Sequence, residues 1–461
     1  MNPLSITIVG GGIGGLTAAL ALAQEGHQIR LFEQSTQFAD IGAGIQLSPN
    51  CNRVLYQLGL SKQLAARAFL PTGIETRHWQ NGKTINEIAL GDACTQKYGF
   101  PYINIHRADL ISILAEAVDR QENIEVHLSS RVLHLDQGSA QVNITISNTS
   151  AQQQQFNADL LIGADGIHSM VRQYLLGPEE PRFTGNIAWR MLVPSERIKT
   201  GLIKPKATAW WGPGAHFVHY YVSSGAILNC VCVVETPTWQ IESWTEPGDP
   251  AELKASFDNW HPDIQMLLDL ARPDTLFKWG LFDRAPLPYW GTQCITLLGD
   301  ACHPTLPFMA QGAAMAIEDA AVLATVLAQG KGLEEKLEDY YRFRLTRTKA
   351  IQRGSQANAR LFHLRGPAAW IRDQVAMRTT GKTRFTGSFN TMSTEVPPPP
   401  YNVAKTITNG KAASSIKTNT RFAGLCAFQK QQAERDTIIA APHLRGQTQR
   451  GSHTPRLAHH H

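Results

Sequence analysis

The segment from Ser5 to Glu33 constrains the fold more than any other part of the sequence. It begins with a short apolar run of the kind that a strand buried on both faces requires, and Gly10, Gly12 and Gly15 follow at once. Gly10 permits backbone angles that other residues avoid, Gly12 leaves room for a phosphate, and Gly15 lets a helix pack close to the strand. We therefore predict a strand, a tight turn and a helix whose N-terminus is directed at phosphates.

Glu33 stands at the end of the second predicted strand of this unit. Its carboxylate can accept hydrogen bonds from both ribose hydroxyls of an adenosine. Glycine-rich turns also occur in structural loops, so the turn alone is a weak signal. Strand, turn, helix and acid together predict a dinucleotide-binding site formed by Gly10, Gly12, Gly15 and Glu33.

Length, charge and cysteine content exclude several classes of protein. The 461 residues are enough for two domains. The net charge of +5 does not indicate a nucleic-acid partner, because residues 380–461 hold 11 of the 43 Lys and Arg but only 3 of the 38 Asp and Glu. Seven scattered cysteines without a CxxC pair, and no secretory signal, predict a reduced cytoplasmic protein. We expect no metal site, and no apolar run approaches the roughly 20 residues that span a bilayer.

The order of strand and helix patterns predicts an α/β fold with two domains. A discontinuous Rossmann-like domain is expected at 1–72, 100–178 and 283–378, where it ends in a long helix. An inserted, mainly antiparallel substrate domain is expected at 73–99 and 179–282, and Asn81-Gly82 predicts a type I′ hairpin within it. We interpret the Arg-rich 342–353 as a solvated helix face. Residues 379–461, with four consecutive prolines and three terminal histidines, predict a flexible tail with a tag-like end.

The predicted strand from Phe217 to Val222 carries candidate catalytic side chains. Alternation places His216 and Tyr220 on one face and His219 on the other. An imidazole and a phenol on a pocket wall could orient or deprotonate a phenolic substrate. An exposed strand histidine is the alternative.

Two further stretches resemble motifs of the flavin-dependent aromatic hydroxylases, the class A flavoprotein monooxygenases. GADGIHSMVR at 163–172 is similar to the DG motif of that family, and GDACHPTLPFMAQGAAMAIEDA at 299–320 is similar to its GD motif. With the N-terminal glycine turn they form an ordered trio over roughly residues 4–375. GAGIQLSPN at 42–50 and the GD stretch are similar to the branch that contains salicylate, 3-hydroxybenzoate and 6-hydroxynicotinate hydroxylases.

The resemblance implies the fold of p-hydroxybenzoate hydroxylase, with FAD held non-covalently in the Rossmann-like domain. Asp165 is expected to serve both the flavin and the reduced nicotinamide, and Arg172 to counter the pyrophosphate charge. Arg107 would reach the flavin, with a surface arginine as the alternative. The cofactor-binding residues outside the N-terminal unit would be Ala43, Arg107, Asp165, Asp300, Gln311 and Gly312.

The residues of the GD stretch support the same roles on physical grounds. Asp300 follows a strand, so its carboxylate can bind the ribityl chain of a flavin, although a turn or helix-cap Asp is the alternative. Gln311 and Gly312 open a helix whose N-terminus can stabilise negative charge on the reduced ring. His303 is expected to fix the loop, and Pro307 resembles the family proline that lies beside the ring and the substrate.

The resemblance implies hydroxylation of a small aromatic acid or phenol. NADH or NADPH would reduce the FAD, and O₂ would react through a flavin C4a-hydroperoxide. His216, Tyr220 and Pro307 are the expected catalytic residues, and the protein would be a monomer or a homodimer. The alternatives are an epoxidase or monooxygenase of a non-aromatic substrate on the same fold, and a catalytically silent flavin-binding protein.

Overall fold

The computed structural model describes residues 3–38, 43–148, 152–239 and 246–378. The predicted tail at 379–461 lies outside the described residues. The strands of the described chain are β1 (Ser5–Val9), β2 (Gln28–Phe32), β3 (Gly44–Leu47), β4 (Gly73–His78), β5 (Thr84–Ala89), β6 (Ile103–His106), β7 (Ile124–His127), β8 (Arg131–Gln137), β9 (Val142–Ser147), β10 (Gln153–Ala158), β11 (Leu160–Gly163), β12 (Arg182–Pro194), β13 (Ala207–Gly212), β14 (Ala215–Val222), β15 (Ile227–Glu235), β16 (Glu246–Pro247), β17 (Leu276–Asp283) and β18 (Ile295–Leu297). Its α-helices are α1 (Ile13–Gln24), α2 (Pro49–Gln57), α3 (Ser61–Arg67), α4 (Asp92–Tyr98), α5 (Arg107–Asp119), α6 (Met170–Leu176), α7 (Pro250–Ser256), α8 (Pro262–Leu268), α9 (Gly312–Leu327), α10 (Leu333–Phe362) and α11 (Gly366–Arg378).

A parallel sheet contains the N-terminal strand at its centre. Its strand order is β18-β11-β1-β2-β7, and every neighbouring pair is parallel. The largest apolar cluster joins this sheet to α1, α5 and α9, and Ile6 and Ile8 within it are completely buried. Burial on both faces explains why these strands are continuous apolar runs in the sequence.

A second, mainly antiparallel sheet has the strand order β16-β17-β12-β15-β14-β13-β4-β5. Only its β13–β4 pair is parallel. The α/β fold class with a Rossmann-like sheet and an antiparallel sheet is therefore confirmed, while the exact domain bounds stay a prediction. None of the described helices is both long and apolar enough to cross a membrane.

The predicted hairpin between β4 and β5 is present, but its predicted turn is wrong. A type I′ turn requires positive φ at both central residues. Gly82 has φ +66°, whereas Asn81 is not among the described residues with positive φ. Residues 79–83 separate the strands, and the side-chain oxygen of Asn81 accepts a hydrogen bond from the Lys83 N–H at 3.0 Å. The asparagine thus caps a longer loop.

Candidate active site

The glycine turn after β1 has the steric properties that a phosphate site requires. A Cβ at Gly10, where φ is +104°, would lie 2.4 Å from the carbonyl oxygen of Ala164. A Cβ at Gly15 would lie 1.9 Å from the carbonyl oxygen of Gly10. By contrast, a Cβ at Gly12 would meet no atom within 4 Å. Two glycines therefore allow close backbone packing, and the third faces open space at the start of α1.

Glu33 connects β2 to the glycine turn. Its Oε2 accepts a hydrogen bond from the Gly11 N–H at 2.7 Å, and its Oε1 accepts one from the Ser35 N–H at 2.8 Å. These two bonds fix the carboxylate beside the turn. Each oxygen keeps a further lone pair, so the group can still accept from ribose hydroxyls.

Asp165 lies after β11 and caps helix α6. Its carboxylate accepts hydrogen bonds from the Ser169 hydroxyl at 2.5 Å and from the backbone N–H groups of Met170 at 2.8 Å and Val171 at 3.2 Å. Burial raises the pKa of Asp165, and these hydrogen bonds oppose that rise. The contacts assign Asp165 a capping role, and its role toward flavin and nicotinamide stays a prediction.

Arg172 does not have the surroundings expected of a phosphate ligand. Its guanidinium is buried, and it donates to Glu179 at 2.7 Å and to the carbonyl oxygen of Ala301 at 3.2 Å. The expectation that it counters pyrophosphate charge is therefore wrong for this arrangement. Arg172 instead ties α6 to the GD stretch.

Arg107 is close to two other predicted cofactor residues, Ala43 and Asp300. The β3–β6 pair sets Gly44 opposite His106, and the N–H of Arg107 donates to the Ala43 carbonyl oxygen at 2.8 Å. Protein packed around Asp300 raises the pKa of its carboxyl by excluding water, although the residue keeps an exposed edge. His303 and Arg107 are close enough to lower that pKa in part. Asp300 and Arg107 are thus electrostatic neighbours.

Gln311 and Gly312 form the start of α9, as predicted. The Gln311 side chain is buried and donates to the Ser48 hydroxyl at 2.9 Å, which ties α9 to the start of α2. Gly312 is the first residue of the helix, and Pro307 is an exposed residue of the preceding turn. The side chain of Gln311 is thus structural, while the backbone at this helix start remains a suitable site for negative charge.

A cluster of buried ion pairs between α9 and α10 was not predicted from the sequence. Glu318 contacts Arg344 at 2.8 Å and Arg347 at 2.6 Å, and Asp319 contacts Arg344 at 2.7 Å. All four side chains are buried, so the interpretation of 342–353 as a solvated face is wrong for both arginines. Two adjacent acids inside an alanine-rich helix were the signal that could have revealed the cluster.

His303 has the predicted loop-fixing role. Its Nε2 lies 2.6 Å from Asp319 Oδ2, and the same oxygen accepts the Gly299 N–H at 3.0 Å. Cys302 lies close enough to complete a three-residue group of possible metal ligands. However, the Asp319 carboxylate is already bound to Arg344, and burial holds the pKa of the Cys302 thiol well above its usual range. We assign this group a structural role.

The two faces of β14 carry different residues, as strand alternation predicts. His216 packs against Phe308 and Phe362, with ring centroids 5.1 Å and 5.4 Å away. His219 lies on the opposite face, where its Nε2 accepts the indole N–H of Trp210 at 3.1 Å. Because Phe308 follows Pro307 in the GD turn, His216 lies beside that turn, and its role toward a substrate stays a prediction.

Tyr220 shares a face with His216 but binds the backbone. Its hydroxyl donates to the Gly44 carbonyl oxygen at 2.7 Å, and Asn229 Oδ1 accepts the Gly44 N–H at 2.8 Å. A Cβ at Gly44 would lie 2.7 Å from atoms of both side chains. Tyr220 and the unforeseen Asn229 therefore hold the strand that follows Ala43.

Burial controls the protonation of the His216 region. It lowers the pKa of His216 well below the usual value, with a smaller contribution from His363. Burial also lowers the pKa of His363 to about 4, although the nearby Glu235 acts in the opposite sense. Burial likewise raises the pKa of Tyr220. At neutral pH both histidines are uncharged, so each has one unprotonated ring nitrogen, and Tyr220 retains its proton.

These residues fit FAD. Gly12 and the start of α1 provide open space and N–H groups for the pyrophosphate, and Glu33 retains acceptors for the ribose. Asp300 has an exposed edge for the ribityl hydroxyls, and the start of α9 can stabilise charge on the ring. All of them have the chemistry that the corresponding part of FAD requires.

Comparison with known proteins agrees with this geometry. The FAD binding domain family matches residues 4–355. The 3-amino-4-hydroxybenzoate 2-monooxygenase of Streptomyces platensis is 37% identical over 375 residues, which are 81% of this chain and 92% of that protein. The 6-hydroxynicotinate 3-monooxygenase of Pseudomonas fluorescens is 36% identical over 358 residues, 77% of this chain and 90% of that protein.

The fold also matches a solved structure. HpxO of Klebsiella pneumoniae, crystallised with FAD and uric acid, superposes with a TM-score of 0.73 at 25% identity, and the match covers 85% of this chain and 97% of HpxO. The resemblance inferred from the three motifs is therefore confirmed. The chain belongs to the FAD binding domain family and, within it, to the class A FAD-dependent aromatic hydroxylases.

Proposed function

We propose that the protein hydroxylates a small aromatic acid or phenol, with NADH or NADPH and O₂ as co-substrates. The main support for this proposal is the position of His216. Its imidazole is buried and neutral, and it packs against Phe308, which follows Pro307. Bound FAD would supply the redox and oxygen chemistry. Relatives that act on 3-amino-4-hydroxybenzoate and 6-hydroxynicotinate support a ring that carries both a hydroxyl and a carboxylate.

The residues of this chain would position the substrate and move its proton. His216 would accept the phenolic proton, because an ionised ring oxygen makes the ring more electron-rich. Phe308 and Phe362 would keep water away from the ring. Tyr220 would act indirectly, because its proton is donated to the Gly44 carbonyl oxygen. Pro307 would border the substrate from the GD turn.

Cofactor and cellular setting follow from the same proposal. Gly10, Gly12, Gly15 and Glu33 would hold the adenosine half of FAD. The rest of the cofactor would be surrounded by Ala43, Arg107, Asp165, Asp300, Gln311 and Gly312.

The described residues include six cysteines, all buried and unpaired. Reduced thiols of this kind suit a cytoplasmic enzyme, which would act as a monomer or a homodimer.

The cofactor assignment is tested by flavin content. The purified protein should be yellow, and Glu33→Gln should weaken FAD binding by about 1.5–3 kcal/mol, because one charged hydrogen-bond acceptor is lost. Glu125→Gln is the matched control, since Glu125 is an exposed acid that pairs with Arg30 on the neighbouring strand. A colourless protein that takes up no added FAD would refute the cofactor assignment.

The reaction is tested by a substrate screen on the FAD-loaded protein. We expect 3-amino-4-hydroxybenzoate, 6-hydroxynicotinate, 3-hydroxybenzoate or salicylate to stimulate NADH or NADPH oxidation and to gain one oxygen atom, as detected by mass spectrometry. Benzoate, which lacks the phenolic proton, is the control. Reduction without any stimulation or product would instead support a silent flavin-binding protein, and an oxygenated product from alkenes alone would support an epoxidase.

A further inference from the structure

His216 belongs to a chain of polar contacts that reaches the surface. Its Nδ1 lies 2.8 Å from Nε2 of His363, and Nδ1 of His363 lies 3.3 Å from Oε1 of Glu235. Both histidines are 3% exposed, whereas the Glu235 side chain is 43% exposed. Glu235 also binds Arg365 at 2.9 Å. The three groups thus lead from a buried imidazole to solvent.

The backbone of Gly214 holds His363 and Glu235 next to each other. The Gly214 N–H donates to the carbonyl oxygen of His363 at 3.1 Å, and the Gly214 carbonyl accepts the N–H of Glu235 at 2.9 Å. Gly214 has φ +71°, and a Cβ there would lie 2.3 Å from the Arg365 guanidinium. A single glycine therefore holds the last residue of β15 beside the end of α10. The half-exposed Glu235 side chain gives the outer end of the path access to water.

The carboxylate beside His363 and the hydrogen bond between the two imidazoles determine which nitrogen of His216 can act as a base. An ionised Glu235 only accepts, so His363 carries its proton on Nδ1 and presents the lone pair of Nε2. His216 must then donate from Nδ1 to His363. Its Nε2 is consequently unprotonated, which is the state that a general base requires.

We propose that His216, His363 and Glu235 form a proton relay, an inference that rests on the proposed hydroxylation of a phenol. The phenolic proton passes to Nε2 of His216, while the Nδ1 proton of His216 passes to Nε2 of His363. The Nδ1 proton of His363 passes to the Glu235 carboxylate and then to water. Only protons move in this relay, so it needs no oxidant or reductant. When a proton returns along the same path to the ring oxygen, both histidines recover their original tautomers. His363 and Glu235 are positioning residues, because they act through His216.

The first test measures the tautomer of His216 without any substrate. In FAD-loaded protein with ¹⁵N-labelled histidine, NMR should show His216 protonated at Nδ1, with the signal assigned by its loss in His216→Gln. His363→Leu should move the proton to Nε2, because the Nδ1 acceptor has gone. A wild-type His216 protonated at Nε2 would overturn the relay, and it would leave the proposed hydroxylation standing.

The second test measures turnover of the best phenol from the substrate screen. His363→Leu should lower kcat by roughly 10²-fold, within the range of general acid–base effects. Glu235→Gln should lower it by about tenfold, since the amide cannot take up the proton. Glu252→Gln is the matched control, because Glu252 is 46% exposed and binds Lys278 at 2.7 Å. It should change kcat less than about twofold.

The pH profile separates a relay from a structural role. The charged groups that act on His363 are Glu235, Arg365 and Arg372. Above the pKa of the phenol in solution the substrate binds already ionised, so the defects of His363→Leu and Glu235→Gln should shrink. Equal defects at every pH, or a Glu235→Gln variant that behaves like Glu252→Gln, would overturn the proposal. If no phenol is turned over, the function fails while the tautomer measurement still decides the relay.

Discussion

The two faces of β14 present histidines that are alike in burial and different in partners. His216 and His219 are each 3% exposed, and burial lowers the pKa of both. His216 contacts another imidazole that connects to a surface carboxylate. His219 has its Nε2 lone pair occupied by the Trp210 indole N–H, and the positive charge of Arg77 lies nearby.

The comparison shows that a shifted pKa does not by itself identify a functional histidine. Both side chains are neutral at physiological pH, so charge does not distinguish them. The partner does, because a base requires a lone pair directed at the substrate and a path for the proton. His216 has such a path, whereas the Nε2 lone pair of His219 accepts a hydrogen bond from Trp210.

The largest expected effect separates the two histidines by activity. His216→Ala should lower hydroxylation by about 10²–10⁴-fold while FAD remains bound, because the general base is removed. His219→Ala should leave kcat within about threefold once the folded fraction is taken into account, since its lost hydrogen bond lies on the opposite face. Steady-state turnover and flavin content of both variants provide the measurement.

The control for this prediction is Tyr221→Phe, which removes a hydroxyl from a half-buried residue on the same face as His219. Equal losses of turnover in His216→Ala and His219→Ala would mean that the substrate does not lie on the His216 face. A larger loss in His219→Ala would mean that the two faces are assigned the wrong way round.

Stability against pH should show what the two histidines share. The pKa of His219 falls from 6.5 to about 3 on folding, so the unfolded chain binds the proton more readily. The residue contributes nothing to the pH dependence above about pH 6.5, and it destabilises the fold as the pH falls below that value. Each such histidine adds a slope of up to about 1.4 kcal/mol per pH unit. His216, whose pKa is also lowered, should act in the same direction.

Urea unfolding between pH 7 and pH 5 measures this slope. His219→Leu and His216→Leu should each reduce the loss of unfolding free energy per pH unit, even though only the second abolishes turnover. The control is His134→Leu, which replaces an exposed histidine and should keep the wild-type change in unfolding free energy per pH unit. Variants of His216 and His219 that keep the full slope would contradict the burial argument for both residues.

Local features were predictable from the sequence, and long-range partners were not. The glycine turn and the faces of β14 depend on neighbouring residues, so steric rules and alternation gave them correctly. The sequence separates His216 from His363 by 147 positions, and no pattern indicates that they meet. The burial of Arg344 and Arg347 likewise depends on Glu318 in another helix. Asp165 and Tyr220 have side chains whose chemistry suits a site, but backbone groups that the fold brings near them take up their hydrogen bonds.

The smallest expected effect concerns Tyr220, which lies on the same face as His216 but is bound differently. Its hydroxyl donates to the Gly44 carbonyl oxygen at 2.7 Å, so it is not free to take a proton from a substrate. Tyr220→Phe removes one buried hydrogen bond and should lower the free energy of unfolding by about 0.5–1.5 kcal/mol. Because Gly44 follows Ala43, KM should rise a few-fold while kcat stays within about threefold of wild type, and the pH profile should keep its shape. Tyr221→Phe, whose hydroxyl is on the other face, is again the control. A loss of kcat as large as that of His216→Ala would show that the Tyr220 proton takes part in the reaction, and that a shared face predicts a shared role after all.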